Sequence, residues 1–323
     1  MKKFKKTLII VIITVLILFF IFREANFKIL IQEINNINIF WFIIAYTILL
    51  STMLIISYKW KILISNYQVL SYLESIKLHF VMSSLSLITP FSAGEFINGF
   101  YKNDENFNRK IGLGASIFEK VIDVLIISLI ALFSIVYFIE QKDIFYLILL
   151  TVFMLFGFLI TTLYMDKSNK GLFMRIINRV IPFEKIKVSI GELILYFETI
   201  KNEPMKIIYA ISLSILNWLV LIFQGYLIFK VINTQISLIL AIRVISIGIF
   251  VGIIPVTISG FGTRDATFIL LLNNYMTYEK IVLFGILFSF RYILLSSVGL
   301  IWLDEITSKV NLRINKKTKQ IRD

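Results

Sequence analysis

The sequence predicts an all-α integral membrane protein: six transmembrane helices plus two re-entrant broken helices, arranged as an inverted repeat. Three observations carry this. Of the 323 residues, 58% are hydrophobic and only 16% charged, with a mean hydropathy of +0.87. A soluble domain is nearer half apolar and carries about a quarter charged residues. The apolar residues also come in unbroken runs close to the ~20 residues that a helix needs to cross a bilayer. Lastly, the 33 Lys and Arg residues cluster in alternate connecting segments, as the positive-inside rule requires.

The elements follow in chain order. Run 7–22 comes after Lys2, Lys3, Lys5 and Lys6. No small-x-small cleavage site follows Phe22, so it reads as a retained first span and not a signal peptide. Runs 39–57, 115–139, 144–164, 207–229 and 280–303 read as further spans. Segments 73–101 and 236–275 are apolar but broken near their middles by proline, glycine and serine, and read as re-entrant. Segment 165–206 is charged and places apolar residues at helical spacing, with Phe173, Ile176, Ile177 and Val180, then Ile186, Ile190, Leu193, Ile194 and Phe197. That pattern suits amphipathic helices on the cytoplasmic membrane face. Residues 304–323 form a basic cytoplasmic tail. The whole of 1–323 is expected to be one membrane domain.

Sidedness follows from charge. With the N-terminus inside and both broken segments returning to the side they enter from, 25 of the 33 basic residues fall inside and 8 lie outside or within the membrane. Both termini are then cytoplasmic in a multi-pass cell-membrane protein, with 102–110 and 165–206 inside and 140–143 outside. The count also accounts for the formal net charge of +13 without nucleic acid. There is no cysteine, and His79 is the sole histidine. Disulfides, a cysteine nucleophile and a histidine-rich metal site are therefore excluded. No P-loop, GxSxG, HExxH or dinucleotide fingerprint is present, so no cofactor and no metal is expected. His79, without an adjacent nucleophile, reads as a polar lining residue.

The first break carries Pro90, Ser92 and Gly94, followed by Glu95. The second carries Pro255, Ser259, Gly260 and Gly262, followed by Arg264 and Asp265. Paired interrupted segments of opposite entry point to a transporter's midplane site, with 39–139 set against 207–303. Non-helical backbone is tolerated at that depth only in protein or at a cavity. Ser92 to Glu95 also fits a capping box, in which Glu95 reaches back to the start of a new helix. Arg291 is central in its run, where a charge costs roughly 2.5–3.5 kcal/mol and usually faces a cavity or a partner. Arg243 and Arg264 lie in or beside the second break. Glu119 and Asp123 are four residues apart, hence on one helix face, with Lys120 between them. An ion-pair network is one reading of these charges. A cationic pocket for phosphate is the other, since the planar guanidinium suits bidentate contacts. The expectation is that Glu95, Glu119, Arg264 and Arg291 converge on one polar cavity.

Residues Ser86–Tyr101, with Thr89-Pro90 and Gly94-Glu95, then Phe118 to Asp123, and Pro255 through Asp265, resemble the flippase-like membrane region of lysylphosphatidylglycerol synthases. The resemblance covers roughly 7–303 and extends to standalone bacterial and archaeal proteins and to the membrane part of some archaeal dolichol-linked glycosyltransferases. This chain departs from the family pattern at Glu119-Lys120, where Glu-Arg is usual, and at Thr263-Arg264-Asp265, where Gly-Arg-Glu is common. Both changes keep the charge. About twenty residues follow the last span, so the resemblance implies a standalone translocation region without the soluble synthase domain. It implies a lipid translocase or transporter for an anionic phospholipid or a polyprenyl-phosphate-linked lipid. Arg243, Arg264, Arg291 and Lys120 would hold phosphate, and Glu95, Glu119, Asp123 and Asp265 would orient them or accept a cationic headgroup. The alternatives are an embedded enzyme, or a subunit of one, for aminoacyl or glycosyl transfer to a lipid headgroup, and a membrane scaffold. The expected partner is a membrane lipid. A separate transferase and a second copy of the chain are further candidates.

Overall fold

A computed structural model describes residues 2–101, 108–138, 184–254 and 256–311. Among these residues the chain is helical with no strands. The expected span 144–164, most of loop 102–110, the external turn 140–143, Pro255 and the first part of 165–206 lie outside the described residues.

The helices are α1 (Lys2–Glu24), α2 (Phe27–Asn35), α3 (Ile39–Ile64), α4 (Tyr72–Ile88), α5 (Arg109–Ile135), α6 (Glu184–Ile200), α7 (Pro204–Val231), α8 (Leu238–Ile253), α9 (Thr263–Leu272), α10 (Tyr278–Gly299) and α11 (Leu303–Asn311). Tight 3-10 turns occupy Pro90–Phe100, Ile258–Gly260 and Leu300–Trp302. Local chemistry sets the starts. Asn26, Asn38, Ser71, Asn108 and Ser237 accept backbone N–H groups from the first turns of α2, α3, α4, α5 and α8, and Glu74 completes a capping box with Ser71. Pro204 opens α7, where its missing N–H costs nothing.

Three helical stretches are long and apolar enough to cross a membrane: Ile39–Ile64, Pro204–Val231 and Tyr278–Ser308. A fourth arises if α1 and α2, bent by 88° at their junction, count as one span. Six spans are therefore not reached among the described residues. Helix α5 contains the expected span 115–139 up to Ile135, but Glu119, Lys120 and Asp123 interrupt its apolar length. Helix α3 runs seven residues past the expected end at 57 and carries Lys59 and Lys61 into the helix.

Both broken segments turn back on themselves. After α4 the chain reverses, so that Gly94 lies against Leu85 and Ser86 and Asn98 reaches His79. After α8 it reverses again, so that Gly260 lies against Gly252 and the Phe268 ring fills the space over Gly248. In each hairpin a glycine meets backbone eight residues earlier. A Cβ at Gly94 would stand 2.3 Å from the Ser86 nitrogen, and one at Gly260 2.7 Å from the Gly252 oxygen. Gly260 and Gly262 also hold positive φ, +74° and +87°, which glycine adopts without strain.

Packing then crosses between the two halves. Helices α3 and α7 pack along each other extensively, α4 packs on α10, and α8 packs on α5. Gly299 seats α10 on α4: its Cα faces the Phe80 carbonyl, Ser84 Oγ donates to the Ser296 carbonyl, and Ser296 Oγ donates to the Ser83 carbonyl. Large apolar side chains remain exposed along α1, α3 and α7, including Phe19, Phe20, Phe40, Ile43, Leu54 and Leu219. In water such a surface would aggregate, whereas lipid is a solvent for it.

Candidate functional site

Among the described residues, most charges inside the bundle fall into two groups. The first spans α3, α5 and α7. Lys59, 1% exposed, places its ammonium 2.8 Å from Asp123 Oδ1 and 3.2 Å from Glu119 Oε1, and donates to Ser214 Oγ at 3.0 Å. Glu119 and Asp123 face the same cation because four residues bring them round one turn of α5. Trp218 Nε1 donates to the Asp123 carbonyl and ties α7 to the same turn. Lys120, one residue on, points away toward the first hairpin and forms an ion pair with Glu95 there, with both side chains partly exposed. Glu95 thus pairs with Lys120 instead of capping a helix start. In this hairpin it is Thr89 Oγ1 that accepts from the Gly94 amide. Beneath it, His79 Nδ1 donates to the Ser75 carbonyl, which leaves Nε2 to accept from Asn98. His79 therefore ties α4 to its return strand of backbone.

The second group sits where α9 meets α10. Arg264 and Arg291 are 1% and 4% exposed. Arg264 Nη1 donates to the Tyr292 hydroxyl at 3.1 Å, and Nη2 donates to Ser289 Oγ at 2.6 Å. Arg291 Nη2 donates to the same Tyr292 hydroxyl at 2.8 Å. The Arg291 guanidinium lies 4.0 Å from the Phe288 ring centroid and 4.7 Å from that of Tyr292. Arg264 lies 5.1 and 5.2 Å from the same two rings. Among the described residues neither arginine has a carboxylate within 4.0 Å, and Arg264 Nε and Arg291 Nη1 are buried without a hydrogen-bond partner. Arg264 occupies the first turn of α9, so the positive end of that helix adds to the local field.

Asp265 forms no ion pair with either arginine. One residue turns the helix by about 100°, and the Asp265 carboxylate caps α9 by accepting the Gly262 amide at 2.9 Å. Its other oxygen lies against Gly285, where a Cβ would stand 2.7 Å away. Arg243 is also apart from the pair, with its guanidinium 3.8 Å from the Tyr137 ring centroid.

Of the expected convergent set, Glu95 and Glu119 belong to the first group and Arg264 and Arg291 to the second. Among the described residues no hydrogen bond or ion pair joins the two groups. The hairpins do touch, through Pro90–Phe100 and Ile258–Gly260. Ser259 lies in the second turn with a positive φ of 50°. Pro90 and Ser92 fall within the first turn.

Sequence reasoning missed Lys59, Ser214, Tyr292 and Ser289. The apolar run 39–57 stops short of Lys59, and the charge count places that lysine on the inside. Yet Met53, Ser57, Trp60 and Leu63 keep a helical period, and that buried face carries Lys59 with it. Moving Lys59 into the bundle shifts the charge count only to 24 against 9.

Long apolar helices, two folded-back hairpins and charges turned inward define an α-helical membrane protein. Over residues 7–299 the chain matches the Lysylphosphatidylglycerol synthase TM region, and it belongs to that family. It is 28% identical over 289 residues to a UPF0104 membrane protein of Methanocaldococcus jannaschii, a match covering 83% of this chain and 84% of the relative. No solved structure matches.

Proposed function

We propose that the chain is a lipid translocase that moves an anionic lipid between leaflets, with Arg264 and Arg291 taking its phosphate. The observation that carries this reading is a pair of buried guanidiniums with, among the described residues, no carboxylate within 4.0 Å and an unpartnered N–H on each. Leaving charge buried and uncompensated costs several kcal/mol per ion. Arginine is always protonated, so a bound anion is the natural compensation.

The architecture supports transport. The hairpins α4 with Pro90–Phe100 and α8 with α9 each pack on the last helix of the opposite half, α10 and α5. This reciprocal exchange suits an inverted repeat of 39–139 and 207–303, whose halves can rock against each other around a midplane site. In this arrangement both termini, 102–110 and 165–206 face the cytoplasm and 140–143 faces out. Labelling of a single cysteine placed at Asn106 from outside the cell would sink that topology.

The function is tested with the purified chain in liposomes that carry a fluorescent anionic or zwitterionic lipid. Quencher added outside should progressively reach anionic label from the inner leaflet. Arg264→Ala and Arg291→Ala should slow this while leaving the zwitterionic lipid unchanged. Normal movement by a well-folded double variant would overturn the assignment. Activity that appears only with an added aminoacyl or glycosyl donor would favour a transferase instead.

A further inference from the structure

The arginine pair has a definite charge and keeps buried donors idle, and the charge narrows the ligand. Two guanidiniums contribute two positive charges, with no carboxylate within 4.0 Å among the described residues. Arg264 Nε and Arg291 Nη1 are buried with hydrogens unused. A further donor is the Tyr292 hydroxyl. Its oxygen receives an N–H from each arginine, so its lone pairs are engaged and its own proton must be given to another group. No described residue accepts it.

Resting on the anionic-lipid reading, we infer that this site takes a dianionic phosphoryl group, a phosphate monoester, in preference to the monoanionic diester of ordinary phospholipids. A diester carries one negative charge and two terminal oxygens. It would leave one guanidinium uncompensated. A monoester carries about −1.5 to −2 at neutral pH and three acceptor oxygens, so its charge matches two cations and its oxygens can take the unused N–H groups and the Tyr292 O–H together. Tyr292 is then a binding residue that gives its proton in a hydrogen bond to the phosphoryl oxygen, held in place by the two N–H groups it accepts. The aromatic faces of Phe288 and Tyr292 under the guanidiniums hold both planar forks in place and apart from water.

The test uses the full chain in zwitterionic nanodiscs doped with phosphatidic acid, with phosphatidylglycerol, or with neither. Binding is read by native mass spectrometry and by the shift in melting temperature. The monoester is expected to bind at least about tenfold more tightly than the diester, the scale of one added charge-assisted hydrogen bond. The preference should grow from about pH 5 to about pH 8, as the second ionisation of phosphate near 6 is passed. Tyr292→Phe should weaken the monoester more than the diester. Glycerol 3-phosphate is added as a competitor. Displacement of the lipid means the phosphoryl group can enter from water, and failure to displace means only a lipid delivers it; either result supports the inference when the monoester preference is present. Equal binding of monoester and diester, both above the zwitterionic background, overturns the inference but leaves the anionic-lipid reading standing. Binding of neither above background overturns both. The lipid series on the unaltered protein decides the matter even if a variant fails to fold.

Discussion

Lys59 is paired with two carboxylates within the bundle, Glu119 and Asp123, whereas among the described residues Arg264 and Arg291 share the Tyr292 phenol and the Phe288 and Tyr292 rings, with Ser289 on Arg264 alone. Both groups are buried, so the difference is in partnership and not in depth. Around Lys59 the Coulomb attraction of two carboxylates offsets the loss of water, and breaking the set exposes that cost. Around the arginines, cation–π contacts worth about 0.5–2 kcal/mol and neutral hydroxyls offset only part of a penalty of several kcal/mol per ion. A protein that keeps such a cost in its resting state is spending stability on a site. The lysine group ties α3, α5 and α7 together, and in the proposed function the arginine group takes an anion.

The largest effect that could break this contrast is at Lys59. Lys59→Ala leaves Glu119 and Asp123 buried without their cation, and it should destabilise the protein by roughly 3–5 kcal/mol. Thermal unfolding in detergent measures this. Retention of wild-type stability would mean that water or another cation serves the carboxylates, and the structural role would fall. Arg291→Met should move the other way. It removes an uncompensated charge and relieves repulsion from Arg264, so a gain of about 1–3 kcal/mol is expected, together with loss of selective anionic-lipid movement. A destabilised Arg291→Met would show that the arginine is structurally partnered after all.

A third substitution separates the groups by geometry. Gly299 lets α10 lie on α4, and a Cβ there would stand 2.0 Å from the Phe80 oxygen. Gly299→Ala must push the helices apart, at about 1–3 kcal/mol for overpacking. Arg291 and Tyr292 ride on α10, while Lys59, Glu119 and Asp123 lie on α3 and α5. Lipid selectivity should therefore suffer beyond what the stability loss alone explains. Hydrogen exchange should show loosening in α10 and α4, with α3 and α5 unchanged.

Much of this was legible in the sequence. Hydrophobic runs located most helices, because bilayer thickness imposes a length that composition reveals. Proline and glycine located both hairpins, because backbone can return on itself only where no Cβ stands in the way, as at Gly94 and Gly260. Arg291 was marked as costly by its central position alone. What the sequence could not supply was the pairing. Glu119 and Arg264 were expected to face one cavity, yet Glu119 is taken by Lys59, sixty residues away on another helix, a relation that no local period encodes. Asp265 follows Arg264 directly but serves as its helix cap. Lys59 escaped because a hydropathy run stops at the first charges, whereas the buried face of α3 continues past them. Tyr292 escaped because a tyrosine in an apolar run is ordinary until its hydroxyl is seen between two guanidiniums.

The smallest expected effect sharpens the comparison most. Glu95 pairs with Lys120 on the rim of the lysine group, and both side chains are about a third or more exposed. A screened pair of this kind contributes only about 0–1 kcal/mol. Glu95→Gln keeps shape and hydrogen-bonding capacity while removing one charge, so its melting temperature should sit close to wild type. If the arginine pair alone selects the lipid's charge, the anionic-to-zwitterionic ratio of lipid movement should also be unchanged, since among the described residues no hydrogen bond or ion pair joins Glu95 to Arg264 or Arg291. The hairpins nevertheless touch through Pro90–Phe100 and Ile258–Gly260, and Glu95→Gln frees Lys120 as a third cation on that side. A rise in anionic selectivity at unaltered stability would show that Lys120 joins the arginines in holding phosphate, and the division into a structural group and a binding group would have to be redrawn through the first hairpin.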